Sequence, residues 1–215
     1  MIITVFDFDD TLFPTTHFEL QPQGVSDRIG SIGLSISLLL ENAMRFGKVY
    51  IITNAQMEWI NGCLRWLPGC SDLGERIRIV STRDEGYAVG DFATWKTNAF
   101  HSILREDFAN DENHSLLAFG DMMFDRQAAM SIKEWYPNVV VKSLLMSFRP
   151  SISGLLRQHS IILYNMTYLF TSPESLDAVT CQTTSVPSII QNSPSSSSDC
   201  SGLLRSSEVG FVLGL

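Results

Sequence analysis

Hydrophobic and polar positions along residues 1–163 alternate between two rhythms. Short apolar blocks at Ile2 to Phe6, Val49 to Ile52, Ile77 to Val80, Leu116 to Phe119 and Val139 to Val141 read as strands buried on both faces. The stretches between them carry helical spacing. Ile29, Ile32, Ile36, Leu39, Leu40 and Ala43 fall on one stripe of a helix over 26–46, which Ser26 or Asp27 can cap and Gly47 can close. Gly30 and Gly33 weaken that helix. Residues 55–66 form a helix that stops before Pro68 and Gly69. Phe92, Trp95, Ala99, Phe100 and Ile103 mark another, 125–134 a further one, and 151–163 a closing helix after Pro150. Strands alternating with helices predict an α/β fold: a doubly wound, Rossmann-like parallel sheet of five strands with helices on both faces.

Past residue 163 the composition changes. Residues 164–215 hold 12 serines, four of them in the run Ser195 to Ser198, and one basic residue, Arg205. That composition predicts a disordered, Ser-rich C-terminal tail after a domain at 1–163. The chain as a whole has 15 basic and 23 acidic residues, a net charge of −8, which disfavours nucleic acid or an anionic membrane as partner. Its four cysteines, with Cys63 and Cys70 the only close pair, make neither a disulfide framework nor a zinc site. The N-terminus shows no targeting signal and no apolar run is long enough to span a bilayer, so the expectation is a soluble, cytoplasmic protein.

The chemistry concentrates directly after the first strand. Asp7, Asp9 and Asp10 place three carboxylates within four residues. Carboxylates so close repel one another, and a divalent cation or a shared proton relieves that cost where a structural role does not. They also emerge at the end of a buried strand, where open α/β sheets bind ligands. In an extended exit Asp7 and Asp9 point to the same side, so one can act as nucleophile while the other donates or accepts a proton. Asp10 has the opposite parity and suits a bond to the turn backbone.

Four segments then fall into a known order. Asp7-Phe8-Asp9-Asp10-Thr11-Leu12 resembles the first motif of the haloacid dehalogenase-like (HAD) superfamily, Asp-x-Asp-x-Thr/Val after an apolar strand. Ile51-Ile52-Thr53-Asn54 resembles the second, Lys96 within Trp95-Lys96-Thr97 the third, and Gly120-Asp121-Met122-Met123-Phe124-Asp125 the fourth. The resemblance covers about residues 1–160 and implies strand order 5-4-1-2-3. It implies that Asp7 attacks phosphorus to form an aspartyl-phosphate and that Asp9 protonates the leaving oxygen, then activates water. It gives Thr53, Asn54 and Lys96 to the phosphoryl group. It gives Mg²⁺ to Asp7, Asp121, Asp125 and the backbone carbonyl of Asp9, with Asp125 alternatively orienting Lys96. Hard oxygen ligands suit Mg²⁺, and phosphoryl transfer needs positioning and charge neutralisation above all.

Departures from other branches narrow the reading. Dehalogenases and phosphonatases of the superfamily lack the aspartate at position 9. Its ion pumps carry a different first motif and membrane helices. Residues 13–47 and 81–95 are too short for a separate cap domain, so an open site, with at most a small flap from Phe13 to Gly24, is expected. The expected activity is Mg²⁺-dependent hydrolysis of phosphate monoesters, including macromolecular ones. The alternatives are a phosphotransferase or a catalytically weak binding or scaffold protein on the same fold. Arg126 is expected to pair with a nearby carboxylate, Arg83 and Asp84 to lie in a loop by the crevice, and none of His17, His101, His114 and His159 to act as ligand or base.

Overall fold

The computed structural model describes residues 1–108, 114–181 and 188–191. In chain order the elements are β1 (Ile2–Phe6), α1 (Thr15–Leu20), α2 (Pro22–Ser26), α3 (Ile29–Met44), β2 (Lys48–Thr53), α4 (Met57–Trp66), α5 (Leu73–Arg76), β3 (Arg78–Ser81), α6 (Phe92–Asp107), β4 (Ser115–Gly120), α7 (Met123–Trp135), β5 (Val140–Leu145), α8 (Ile152–Thr171), β6 (Leu176–Cys181) and β7 (Ser188–Gln191). Six strands, β3-β2-β1-β4-β5-β6, are parallel, and β7 runs antiparallel on the outer edge of β6.

Alternate strand residues feed two cores. Phe6, Val49, Ile51, Leu117 and Phe119 pack with α3, α4 and α8 on one face. Ile3, Val5, Tyr50, Ile52, Leu116 and Ala118 pack with α6 and α7 on the other. This two-faced burial is why the strands read as unbroken apolar blocks. Gly33, expected to weaken α3, is where that helix meets the loop after α4. A Cβ there would lie 2.5 Å from the Pro68 carbonyl oxygen, so only glycine allows the approach.

The five-stranded sheet expected from sequence is corrected: two further strands, β6 and β7, extend it beyond β5. The boundary expected at residue 163 falls inside α8, which continues to Thr171 and leads into β6. The physical reason is the unshared surface at β5. Ile162, Met166, Leu169 and Phe170 carry α8 across the core, and Phe170 packs tilted against Phe46 with ring centroids 4.4 Å apart. Buried Lys142 of β5 donates to the carbonyl oxygens of Leu169 at 2.5 Å and Ser172 at 2.6 Å, so it satisfies backbone groups left open at the end of α8. The Ser-rich run at 195–198 lies outside the described residues.

Residues 13–28 form only the short helices α1 and α2, and 82–91 is a loop, so neither interval holds a core of its own. No helix among the described residues is long and apolar enough to cross a membrane. The connection from β1 leads to β2 on one side, whereas β4 lies on its other side and is reached only from β3. The crevice past the ends of β1 and β4 is therefore the topological switch point, where sheets of this type bind ligands.

Candidate active site

Asp7 leaves β1 at that crevice, its backbone N–H donating to the Phe119 carbonyl oxygen of β4 at 2.9 Å. Lys96 enters from the second turn of α6, a helix that Asp91 caps by accepting from the Thr94 N–H at 3.0 Å. The Lys96 ammonium is 1% exposed, lies 2.6 Å from Asp7 Oδ1 and pairs with Asp125 Oδ1. Asp121 follows β4. Asp125 sits in the first turn of α7, where its Oδ2 accepts from the Met122 N–H at 3.0 Å. That turn packs against Gly120 so closely that a Cβ at Gly120 would overlap the Asp125 carboxyl group. The glycine is required by the carboxylate it lets in.

The electrostatics of this cluster are unbalanced. Asp7, Asp121 and Asp125 are all buried and present oxygens within 4.8 Å of one another. Burial pushes the Asp7 carboxyl well above its ordinary range, Lys96 pulls it down, and the neighbouring carboxylates push it up again. Burial and Asp125 push Asp121 up to about 7, and burial raises Asp125 against the pull of Lys96. Burial opposes the charge on Lys96, yet Asp125 and Asp7 outweigh it and raise its pKa. Three carboxylates facing one ammonium leave a surplus of negative charge in a place poor in water. The donor set consists of hard oxygens, so a small divalent cation such as Mg²⁺ fits it chemically.

Asp9 meets different surroundings. It is half-buried, and its carboxylate turns toward the flap formed by α1 and toward α4. Thr15 Oγ1 donates to Asp9 Oδ1 at 2.6 Å and the Trp59 indole N–H donates to the same oxygen at 3.1 Å. Its side chain stands outside the group of three that could hold a metal; the role expected for it there is that of its backbone carbonyl. Asp10 adopts a left-handed backbone, φ 55°, which aspartate tolerates. As its parity suggests, it bonds backbone, accepting from the Thr16 N–H at 3.0 Å and from Thr16 Oγ1 at 2.5 Å.

Thr53 ends β2 on the other side of β1 and Asn54 follows it, both buried. Thr53 Oγ1 accepts from the Ala55 N–H at 3.1 Å, and Asn54 Oδ1 accepts from Thr82 Oγ1 at 2.7 Å. Asp84 accepts from the Met57 N–H at 2.7 Å and so serves the first turn of α4, and Arg83 lies over the Trp95 ring at 5.8 Å. Arg126 pairs with a carboxylate as expected, but the partner is Asp177 of β6, in the segment assigned to the tail. His159 is buried between Ser35 Oγ and the Thr11 carbonyl oxygen, each 2.8 Å away.

The structure thus gathers Asp7, Lys96, Asp121 and Asp125 into one buried cluster and seats Asp9 beside it under the flap. Sequence reasoning missed Trp59 and Thr15. Thr15 carried a faint signal, being the first residue able to start a helix after Pro14. Nothing in the apolar spacing of 55–66 distinguishes an indole that packs from one that also donates. No protein-family model, curated protein or solved structure matches the chain.

Proposed function

We propose that the protein is a Mg²⁺-dependent phosphohydrolase of the HAD type, which cleaves phosphate monoesters through an aspartyl-phosphate on Asp7. The observation that carries this reading is the buried trio Asp7, Asp121 and Asp125 with one lysine inserted among them. Such a set is unfavourable by itself and becomes balanced when a cation and a phosphoryl group share it.

Asp7, Asp121 and Asp125 would hold Mg²⁺, which when bound neutralises charge on the phosphoryl oxygens. The remaining chemistry belongs to the chain. An Asp7 carboxylate oxygen forms a bond to phosphorus as the bond from phosphorus to the ester oxygen breaks. Lys96, 2.6 Å from that carboxylate, offsets charge on the nucleophile and on the incoming phosphoryl group. The leaving oxygen takes a proton from Asp9. Thr15 and Trp59 both donate to Oδ1, which leaves Oδ2 of Asp9 to carry that proton. In the second half Asp9 accepts a proton from water, whose oxygen attacks phosphorus and releases the Asp7 carboxylate. The backbone at Thr53 and Asn54, at the end of β2, supplies donors for the phosphoryl oxygens.

The test is phosphate release from a simple aryl phosphate by the purified full chain. Release should require Mg²⁺, stop on chelation and be abolished by Asp7→Asn. Release that persists in Asp7→Asn overturns the assignment.

A further inference from the structure

We infer that the apolar cavity beside Asp9 receives an aromatic leaving group, so that the preferred substrates are aryl phosphate monoesters. This rests on the phosphohydrolase reading and names its substrate class. The cavity has a volume of about 480 Å³ and lies between α1 and α4, with Phe18, Trp59, Gly62, Cys63 and Trp66 on its walls. Cavities that hold small ligands run from about 300 to 1,000 Å³.

Three observations tie it to the reaction. First, Trp59 belongs to both places: its ring forms a cavity wall and its indole N–H holds Asp9 Oδ1. A group lying on that ring is therefore next to the carboxyl that protonates the leaving oxygen. Second, the walls are aromatic and incompletely covered. Phe18 stands 5.7 Å from Trp59 and 5.6 Å from Trp66, centroid to centroid, and Trp66 remains 40% exposed. Buried Phe13 backs them at 6.0 Å from Trp59. A planar ring can add to this array by edge or offset stacking. Third, α4 carries a glycine in its interior, where glycine lowers helix propensity relative to alanine. Gly62 is exposed, a Cβ there would meet no atom within 4 Å, and the position lines the cavity. No packing contact requires that glycine, and its missing side chain leaves that part of the cavity open.

Charge selects within this class. Glu58 is the one ionisable side chain on the rim besides Cys63, and no lysine or arginine lines the cavity. A second phosphate or a carboxylate is disfavoured there. Burial and the nearby charge of Asp9 push the Cys63 thiol up to about 12, so the floor is neutral. The phosphoryl end goes to Asp7 and Lys96. The bond from phosphorus to the ring oxygen breaks, and that oxygen leaves as the phenol with the proton from Asp9.

The test compares phenyl phosphate with hexafluoroisopropyl phosphate, whose leaving alcohol is close to phenol in acidity but has no ring. It uses the full chain with Mg²⁺ and two variants, Trp66→Ala, which removes a wall, and Gly62→Leu, which fills the space. The parent should favour the aryl ester in kcat/KM. Both variants should lower the aryl-to-alkyl ratio roughly tenfold, mainly through KM, as the loss of one or two aromatic contacts of about 0.5–1.5 kcal/mol each implies. Gly62→Leu improves helix propensity, so a loss there is not a loss of folding. Mg²⁺-dependent turnover of both esters without preference, or a ratio unmoved in both variants, overturns the cavity assignment and leaves the phosphohydrolase reading standing. Turnover of neither ester overturns both.

Discussion

Asp7 and Asp9 stand two residues apart in the chain and belong to regions built on different physics. Around Asp7 everything is charge: two more buried carboxylates and one ammonium, all drawn from the ends of β1 and β4 and the starts of α6 and α7. Around Asp9 the partners are neutral donors, a threonine hydroxyl and an indole N–H, set in an aromatic flap. Among the described residues no cation pairs with Asp9. If the proposed function holds, the difference separates the two tasks of a phosphoryl transfer. On the proposed reading, the poor charge balance of the centre is completed by a metal and a phosphoryl group. The flap fixes the direction of a carboxyl group through neutral donors alone.

Substitutions can break this contrast, and the largest effect is expected at its centre. Lys96→Met leaves buried carboxylates without their counter-charge and should cost about 3–5 kcal/mol in denaturant unfolding without metal. Added Mg²⁺ should recover part of that loss. If stability is unchanged, the cluster is not held by charge.

A pH effect should follow from His159, which ties α3 and α8 to the loop that leads into the flap. Burial lowers its pKa to about 4 from an ordinary 6.5, although its bond to the Thr11 carbonyl works the other way. The neutral form is therefore the folded one. Its stabilisation is complete above about pH 6.5 and is lost as the pH falls toward 4, because only the unfolded chain takes up the proton in that window. The loss from this group should reach about 3 kcal/mol at the lower end. Unfolding curves of His159→Gln should show a correspondingly weaker acid dependence; an identical dependence in both proteins contradicts the assignment.

Smaller effects sharpen the contrast further. Without metal at pH 8, Asp121→Asn removes one of three mutually repelling carboxylates and should raise the denaturant midpoint above that of the parent. The same variant should lose most of the rise in melting temperature that Mg²⁺ gives the parent. Trp59→Phe keeps the ring and deletes the donor. A single net hydrogen bond of about 0.5–1.5 kcal/mol corresponds to a roughly two- to thirteenfold fall in single-turnover rate. The Mg²⁺-induced stabilisation should not move in that variant, since Trp59 serves Asp9 and not the buried centre.

The centre was legible in the sequence because its residues sit at the ends of strongly patterned elements. Asp7 and Asp121 each follow an apolar strand, and Asp125 follows Gly120 at a spacing that places it in the first turn of a helix. Lys96 is less clear alone, since a lysine on a helix face is ordinarily solvated, and it gained meaning only from the order of the other segments. The flap itself was expected, but its hold on Asp9 was illegible, because single hydrogen bonds from Thr15 and Trp59 are not encoded in apolar periodicity. The far edge of the sheet was hidden for another reason. In β6 Leu176, Ala178 and Thr180 are buried while Asp177 and Val179 are half-buried, a true alternation but a weak one. It is short, polar in part, and surrounded by serines. Its fit depends on Arg126 and Lys142, residues far back in the chain whose partners could not be foreseen from local composition.

The central claim is that Asp7 carries the phosphoryl group. The most direct measurement is intact-protein and peptide mass spectrometry after rapid acid quenching of an Asp9→Asn variant, in which breakdown of the acyl-phosphate should be slowed. With Mg²⁺ and an aryl phosphate, one phosphoryl adduct labile to hydroxylamine should form on Asp7 and be absent after chelation or in an Asp7→Asn, Asp9→Asn double variant. Mg²⁺-dependent turnover by the parent chain, with no adduct at Asp7 or with an adduct on another residue, would contradict the account.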